Sequence, residues 1–213
     1  SLNARDTYEE MYWKYGYDRY FDSFEHYYSL YQRRNLDLWA EYADGKVTKE
    51  ELNRQRYLYP LEAVGAGDST LAKAYERDAL TMIPTKSKLM PHAREVLEYL
   101  SGKYNLYILS NGFKELQSHK MRSSGIDEYF KKVVLSDDIG ILKPWPEIFH
   151  FALSTTQSEL NNSLMIGDSW ENDIVGAAGV GMHQVFYNLS GRTDLPFAPT
   201  YQITDLKDLF NFL

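Results

Sequence analysis

The sequence predicts an α/β fold, a doubly wound parallel sheet with a smaller helical domain in front of it. Two observations predict this class. Up to about residue 83, aromatic and aliphatic residues recur at helical spacing. From Pro91 onward, short apolar runs alternate with amphipathic segments, which is typical of parallel βαβ units. We therefore predict a helical domain over 1–83 and an α/β core over 84–213.

The first 83 residues predict a series of helices. One helical face carries the apolar side chains of the first segment, namely Tyr8, Met11, Tyr12 and Tyr15. Thr48, followed three residues later by Glu51, has the form of a capping box and predicts a helix that ends near Pro60. A further helix is predicted over 68–82. Pro84 and Pro91 predict a linker over 81–90. Most of the tyrosines are expected to form the core of this domain.

The second part of the chain predicts strands and helices in strict alternation. The expected helices span 91–101, 113–125, 146–156 and 171–179, and the expected strands span 105–110, 132–136, 163–167 and 183–187. Open parallel sheets place their functional sites beyond the carboxyl ends of the strands. The polar residues that follow each strand are therefore the candidate functional residues.

Three of these strand ends carry polar groups suited to a phosphate. They are Ser110, Asn111 and Gly112 after the first strand, Lys143 beyond the second, and Asp168 with Asp173 beyond the third. Hydroxyl and backbone donors, a fixed ammonium and a metal-binding carboxylate can offset the charge of a transferring phosphoryl group. Mg²⁺ commonly takes one or two protein carboxylates together with water and phosphate oxygens. We predict Asp168 as the metal ligand, with Asp173 orienting either the waters of the metal or Lys143.

Each of these motifs alone has an ordinary structural explanation. Ser-Asn-Gly is a common turn, a lysine before proline commonly precedes a helix start, and Gly-Asp commonly caps a helix. Their order, and their shared position after successive parallel strands, favours a functional site.

Composition excludes several classes of protein. The 23 lysines and arginines against 30 acidic residues give a formal charge of -7, which argues against binding of a nucleic acid polymer. The chain has no run of about 18 uncharged apolar residues, so we predict no membrane-spanning helix. It has no cysteine, which excludes disulfides and thiolate metal sites. We expect a cytoplasmic protein that is a monomer or a homodimer.

Three stretches resemble motifs of the haloacid dehalogenase-like hydrolase superfamily, whose members are mostly Mg²⁺-dependent phosphatases. ILSNG is similar to its second motif, LSDDIGILKPWPEIF to its third and MIGDSWENDIVGAAGVGM to its fourth. The resemblance covers nearly the whole chain. The helical first third is similar to the small cap domain that many members insert after their first motif. SNGF and the fourth motif most resemble the pyrimidine 5'-nucleotidase-like branch.

The resemblance implies a role for each strand-end residue. Ser110 would bind phosphate through its hydroxyl, and Asn111 and Gly112 through the backbone that follows it. Lys143 would neutralise charge on the nucleophile and the phosphate. Asp168 would bind Mg²⁺, with Asp173 as its supporting acid.

One departure from the family concerns its first motif, Asp-x-Asp-x-Thr, which supplies the nucleophilic aspartate. The printed sequence contains no such motif. We expect a strand and loop of about 10 to 20 residues to be missing from the front of the chain. In this family the first strand lies between the strands that contain Tyr107 and Met165, so direct pairing of those two would contradict the expectation. We further expect the chain as printed to be a poor catalyst, since it lacks the attacking carboxylate.

The leading hypothesis is a Mg²⁺-dependent phosphomonoester hydrolase of a small phosphorylated metabolite, a nucleoside 5'-monophosphate, acting through an aspartyl-phosphate. One alternative is a non-catalytic phosphate-binding module, if the absence of the first motif is genuine. Another is a dehalogenase or a phosphomutase on the same scaffold, because the motif spacing does not separate these reactions.

Overall fold

A computed structural model describes residues 2–213 of the chain. It divides into two compact units, one that ends at Lys88 and a second over Leu89–Leu213. The interpretation of the first unit as a cap stays a proposal. No helix in the described part of the chain is long and apolar enough to span a membrane.

The first unit is built from four helices, as the apolar periodicity predicts. They are α1 (Leu2–Lys14), α2 (Phe24–Ala43), α3 (Lys49–Ala63) and α4 (Ser69–Met82). Thr48 and Glu51 form the predicted capping box at the start of α3, and the Asp68 side chain accepts hydrogen bonds from the first turn of α4. The helix starts are therefore fixed by local side-chain chemistry.

Tyrosines form the core of this unit, as predicted. The buried ones are Tyr8, Tyr12, Tyr17, Tyr27, Tyr31, Tyr57 and Tyr75. Several of their hydroxyls find partners inside the core. Tyr8 and Tyr31 share a hydrogen bond of 2.7 Å, and Tyr75 donates to the Tyr8 carbonyl over 3.0 Å. Such bonds allow a phenol to be buried without leaving its polar atom unsatisfied.

The prediction that α3 ends near Pro60 is wrong, because the helix continues through Pro60 to Ala63. A proline inside a helix removes one backbone hydrogen bond and costs about 3 kcal/mol. The next residue, Leu61, is fully buried in the tyrosine core. Burying a leucine stabilises by about 1.5–3 kcal/mol, which is of the same size as the cost of the proline.

The second unit contains the predicted parallel strands. Its strands are β1 (Leu106–Ser110), β2 (Phe130–Leu135), β3 (Leu164–Gly167), β4 (His183–Tyr187) and β5 (Tyr201–Ile203), and its helices are α5 (Ala93–Ser101), α6 (Lys114–Ser124), α7 (Pro146–Thr156) and α8 (Gly176–Gly179). β1 pairs in parallel with β2, and β4 pairs in parallel with β3 on one side and β5 on the other. β5 is not among the predicted strands, since three residues are too few to show an alternation.

Apolar side chains of the strands are divided between two opposite faces. Leu164 and Ile166 of β3 pack against the cluster that contains Val96 of α5, whereas Met165 packs against the cluster that contains Phe149 of α7. Alternate residues of a strand point to opposite faces of a sheet, so helices cover β3 on both sides. This is the arrangement of a doubly wound fold, as predicted.

β1 and β3 belong to separate sheets, and among the described residues they do not pair directly. Every residue of β1 and β3 is half-buried, whereas four of the five residues of β4 are buried. The pairing that would contradict a strand between β1 and β3 is therefore not found. The intervening strand itself stays a prediction.

The predicted helix over 171–179 is present, and its first part is π-helical. A π-helical segment, Trp170–Val175, comes first and is followed by the short α8. Its wider turn is visible at Ser169, whose carbonyl accepts from both Asp173 N and Ile174 N. The period of apolar residues does not distinguish a π-helix from an α-helix over so few residues, and π-helical turns are frequent at functional sites.

Candidate active site

The Lys143 ammonium is held by two acceptors at the end of β1 and in the π-helix. Lys143 Nζ donates to the Leu109 carbonyl over 2.7 Å and to Asp173 Oδ1 over 2.6 Å. The side chains of Lys143 and Asp173 are 10% and 7% exposed. A buried charge is tolerated when it is both paired and hydrogen-bonded, as this ammonium is. An ammonium has three N–H donors, and these contacts use two of them.

Asp173 is held in turn by the loop that follows β3. Ser169 N donates to Asp173 Oδ2 over 3.0 Å, so both carboxylate oxygens accept hydrogen bonds. The Ser169 hydroxyl accepts from Asn172 N over 3.2 Å and caps the π-helix. A Cβ at Gly167 would fall on Asp173, well inside the 3.0 Å below which such contacts essentially do not occur. Gly167 is therefore required for this carboxylate to reach Lys143.

The side chain of Asn111 connects the end of β1 to the backbone of Lys143. Lys143 N donates to Asn111 Oδ1 over 2.7 Å, and Asn111 Nδ2 donates to the Lys143 carbonyl over 3.0 Å. Together with the Lys143–Asp173 ion pair, these bonds join the three strand ends into one network. Asn111 and Asp173 thus each contact Lys143. The sequence predicts that these three residues converge, because the carboxyl ends of parallel strands meet at one edge.

Ser110 and Gly112 form the turn at the end of β1. Gly112 N donates to the Ser110 hydroxyl over 3.0 Å. A Cβ at Gly112 would meet Ser110 Oγ at 3.1 Å, so a larger residue would crowd this hydroxyl. Ser110 lies between Leu109 and Asn111, both of which contact Lys143. The Lys143 ammonium therefore contacts the backbone of the residue that precedes Ser110. A hydroxyl and an ammonium are both suitable donors to an anion.

Asp168 is exposed directly after β3, one residue before Ser169. Burial raises the pKa of Tyr187 in the neighbouring β4, and the charges of Asp205 and Asp168 raise it further. The predicted roles of Asp168 and Asp173 at Mg²⁺ stay untested by this geometry. Of the two roles predicted for Asp173, its contacts favour orientation of Lys143.

The residues present could bind Mg²⁺ only together with oxygen ligands from outside the protein, such as water or phosphate. Among residues 2–213, no group of three or more histidine, aspartate or glutamate side chains is arranged to hold a metal ion. Asp168 supplies one exposed carboxylate, and Mg²⁺ readily takes waters and phosphate oxygens beside one or two carboxylates. Asp168 is the residue that would hold the ion, and water or phosphate oxygens would supply further ligands.

Three contributors to this network are not among the functional residues predicted from the sequence. They are the Leu109 carbonyl, Gly167 and Ser169. The serine has a visible signal, since a serine just before a helix is a preferred N-cap. The sequence contains no such signal for Gly167 or Leu109, because their roles depend on which side chain another part of the chain brings to them.

Comparison with known proteins identifies a family. The model of the haloacid dehalogenase-like hydrolase family matches residues 4–181. Pyrimidine 5'-nucleotidase YjjG of Escherichia coli (strain K12) is 30% identical over 185 residues, which cover 86% of this chain and 80% of that protein. Pyrimidine 5'-nucleotidase PynA of Streptococcus pneumoniae is 27% identical over 195 residues, covering 88% and 79%.

Solved structures share the fold. The crystal structure of YfnB from Bacillus subtilis, bound to magnesium, matches with a TM-score of 0.86 and 25% identity, covering 99% of this chain and 92% of that one. A dehalogenase crystal structure matches with a TM-score of 0.79 and 24% identity, covering 99% and 91%. The α/β unit and the helical unit thus each have counterparts in solved hydrolases.

Proposed function

Since the chain belongs to the haloacid dehalogenase-like hydrolase family, we propose that it hydrolyses phosphomonoesters of a small metabolite, with a nucleoside 5'-monophosphate as the leading substrate. The two pyrimidine 5'-nucleotidases at 30% and 27% identity support this substrate class. One observation carries the phosphate chemistry. The Lys143 ammonium is fixed against the end of β1, on the backbone that also carries the Ser110 hydroxyl.

Each residue of the network has a role in this proposal. The Ser110 hydroxyl and the backbone donors after it bind the phosphate oxygens. Lys143 directs its remaining N–H at the same anion, and Asp173 keeps that ammonium in place. Asp168 would hold Mg²⁺, which supplies positive charge against the phosphate oxygens when bound.

The proposed nucleophile is the aspartate of the family's first motif, which the printed residues do not contain. Its carboxylate oxygen would bond to phosphorus while the ester oxygen leaves as an alcohol with a proton from a neighbouring acid. Water would then cleave the aspartyl-phosphate, releasing inorganic phosphate and the carboxylate. In this proposal Lys143 would offset the charge shared by the carboxylate and the phosphate.

The test is release of inorganic phosphate by the native gene product from a panel of nucleoside and sugar monophosphates with Mg²⁺. We expect turnover of at least one nucleoside 5'-monophosphate, and a loss of about 10²-fold or more for Lys143→Ala. Lys131→Ala, which alters an exposed lysine of β2, is the matched control and should retain full activity. Absence of phosphate release from the whole panel would contradict the proposal.

The same samples distinguish the alternatives. Chloride release from a 2-chloro acid, without phosphate release, would indicate a dehalogenase. Retention of the substrate with saturable phosphate binding would indicate a binding module, and conversion of one sugar phosphate into an isomer would indicate a mutase. The chain as printed, assayed beside the native product, is expected to bind phosphate with little turnover, because it lacks the proposed nucleophile.

A further inference from the structure

The Asn111 side chain is occupied by the protein backbone. Its Oδ1 accepts from Lys143 N over 2.7 Å, and its Nδ2 donates to the Lys143 carbonyl over 3.0 Å. Among short side chains, only an amide offers an acceptor and a donor side by side. Aspartate at this position would place a second oxygen against the Lys143 carbonyl. The two bonds therefore depend on asparagine.

The same short stretch of β1 also holds the other end of Lys143. The Leu109 carbonyl accepts from Lys143 Nζ over 2.7 Å. Leu109 and Asn111 flank Ser110 in the sequence, so the two neighbours of Ser110 hold the ammonium and the backbone of Lys143. The relative position of hydroxyl and ammonium is therefore set by one strand end.

Lys143 needs such fixation for two reasons. A lysine side chain has about 2 kcal/mol of rotamer entropy, so its ammonium is not placed by the stem alone. The residue that follows is Pro144, which has no backbone N–H to offer. The side-chain amide of Asn111, at the end of β1, holds the backbone of Lys143 in place.

We propose that Asn111 is a positioning residue, which acts through Lys143 by keeping the ammonium in register with the Ser110 hydroxyl. This role rests on the proposed function and goes beyond the backbone contribution that the family resemblance implies for Asn111. The side chain is directed at Lys143 and acts on the substrate only through that lysine. Its loss should impair catalysis while leaving most of the substrate affinity.

The first test measures the exposure of Lys143 without any assay of activity. Native protein and the Asn111→Ala variant are treated with an isotope-labelled acetylating reagent, and the rate at each lysine is read by mass spectrometry. We expect acetylation of Lys143 to rise by about tenfold or more in the variant, because one of its anchors is lost. The half-buried Lys120 should keep its rate. The matched control, Asn162→Ala, removes an exposed amide that donates to Glu159 and should change neither rate.

Two results of this labelling would overturn the proposal. One is an unchanged rate at Lys143, which would mean that Leu109 and Asp173 hold the lysine unaided. The other is an equal rise at Lys143 and Lys120, which would mean that the substitution loosens the fold as a whole. Neither result depends on finding a substrate.

The second test is kinetic and uses the phosphate-releasing assay on the native product. Asn111→Ala should lower kcat by about 10- to 100-fold, with KM changed by less than about threefold. In a Lys143→Met background the same substitution should change kcat by less than about twofold, because its effect passes through the lysine. An equal loss in both backgrounds would overturn the proposal. If no phosphate is released at all, the proposed function fails, and the labelling experiment still decides the role of Asn111.

Discussion

Gly167→Ala is expected to break the Lys143–Asp173 ion pair without changing either charged residue. The added Cβ would overlap Oδ2, Cβ and Cγ of Asp173. Neither the end of β3 nor the first turn of the π-helix can move away freely, because Ser169 N is bonded to the same carboxylate. Asp173 must therefore turn away from Lys143, leaving an ammonium that is 10% exposed without its partner.

The size of the effect follows from that burial. Removing one partner of a buried, hydrogen-bonded ion pair costs about 3–5 kcal/mol, because the other charge stays buried and unpaired. For a chain of 213 residues, such a loss lowers Tm by about 6 to 20 °C. The displaced ammonium should also reduce turnover of a phosphomonoester by about 10²-fold.

Thermal and urea unfolding of the two proteins measure the stability, and phosphate release measures the turnover. Gly179→Ala is the matched control, since a Cβ there would meet nothing within 4 Å and the backbone needs no positive φ. It should leave turnover unchanged and alter stability by less than about 1 kcal/mol. A Gly167→Ala variant as stable and active as the native protein would refute the assigned contact between Gly167 and Asp173.

Three further substitutions have definite expected outcomes. Asp168→Asn should abolish most Mg²⁺-dependent phosphate release while leaving the unfolding midpoint in urea nearly unchanged, since the side chain is exposed; near-normal turnover would refute its role as a metal ligand. Asp68→Ala should lower the stability of the first unit by about 1 kcal/mol in urea unfolding, because its carboxylate caps α4; no change would contradict the cap. Hydrogen bonds from Lys14 and then Tyr15 hold the pKa of Asp78 well below its ordinary value. The ionised Asp78 side chain therefore stabilises the fold at pH values above its unfolded-state pKa, which is near 4. This stabilisation is lost as the pH falls and the carboxylate is protonated. The stability advantage over Asp78→Asn should therefore shrink below about pH 4, and an advantage independent of pH would contradict this.

Local chemistry explains which parts of the fold could be predicted. The capping box of Thr48 and Glu51, and the alternation of apolar runs after Pro91, depend on residues close together in the sequence. The passage of α3 through Pro60 depends on the burial of Leu61 among side chains from other helices. Sequence spacing records the first kind of interaction and contains no signal for the second.

The site shows the same division. Lys143 and Asp173 both lie beyond the carboxyl ends of parallel strands, as the predicted topology requires, and the structure joins them in an ion pair. The side-chain role of Asn111 depends on its distance to the backbone of a loop 32 residues away. Within the π-helical segment, Asp173 likewise contacts both Ser169 N and the Lys143 ammonium. Such requirements arise only once the loops have met in the folded chain.

The most direct test of the account is a crystal structure of the native gene product with Mg²⁺ and inorganic phosphate. The account predicts one phosphate with oxygens within hydrogen-bond distance of both Ser110 Oγ and Lys143 Nζ, and the metal ion on an Asp168 oxygen. Two results would contradict it. One is a phosphate bound elsewhere, and the other is a structure in which Lys143 contacts Asp173 but no anion lies beside Ser110.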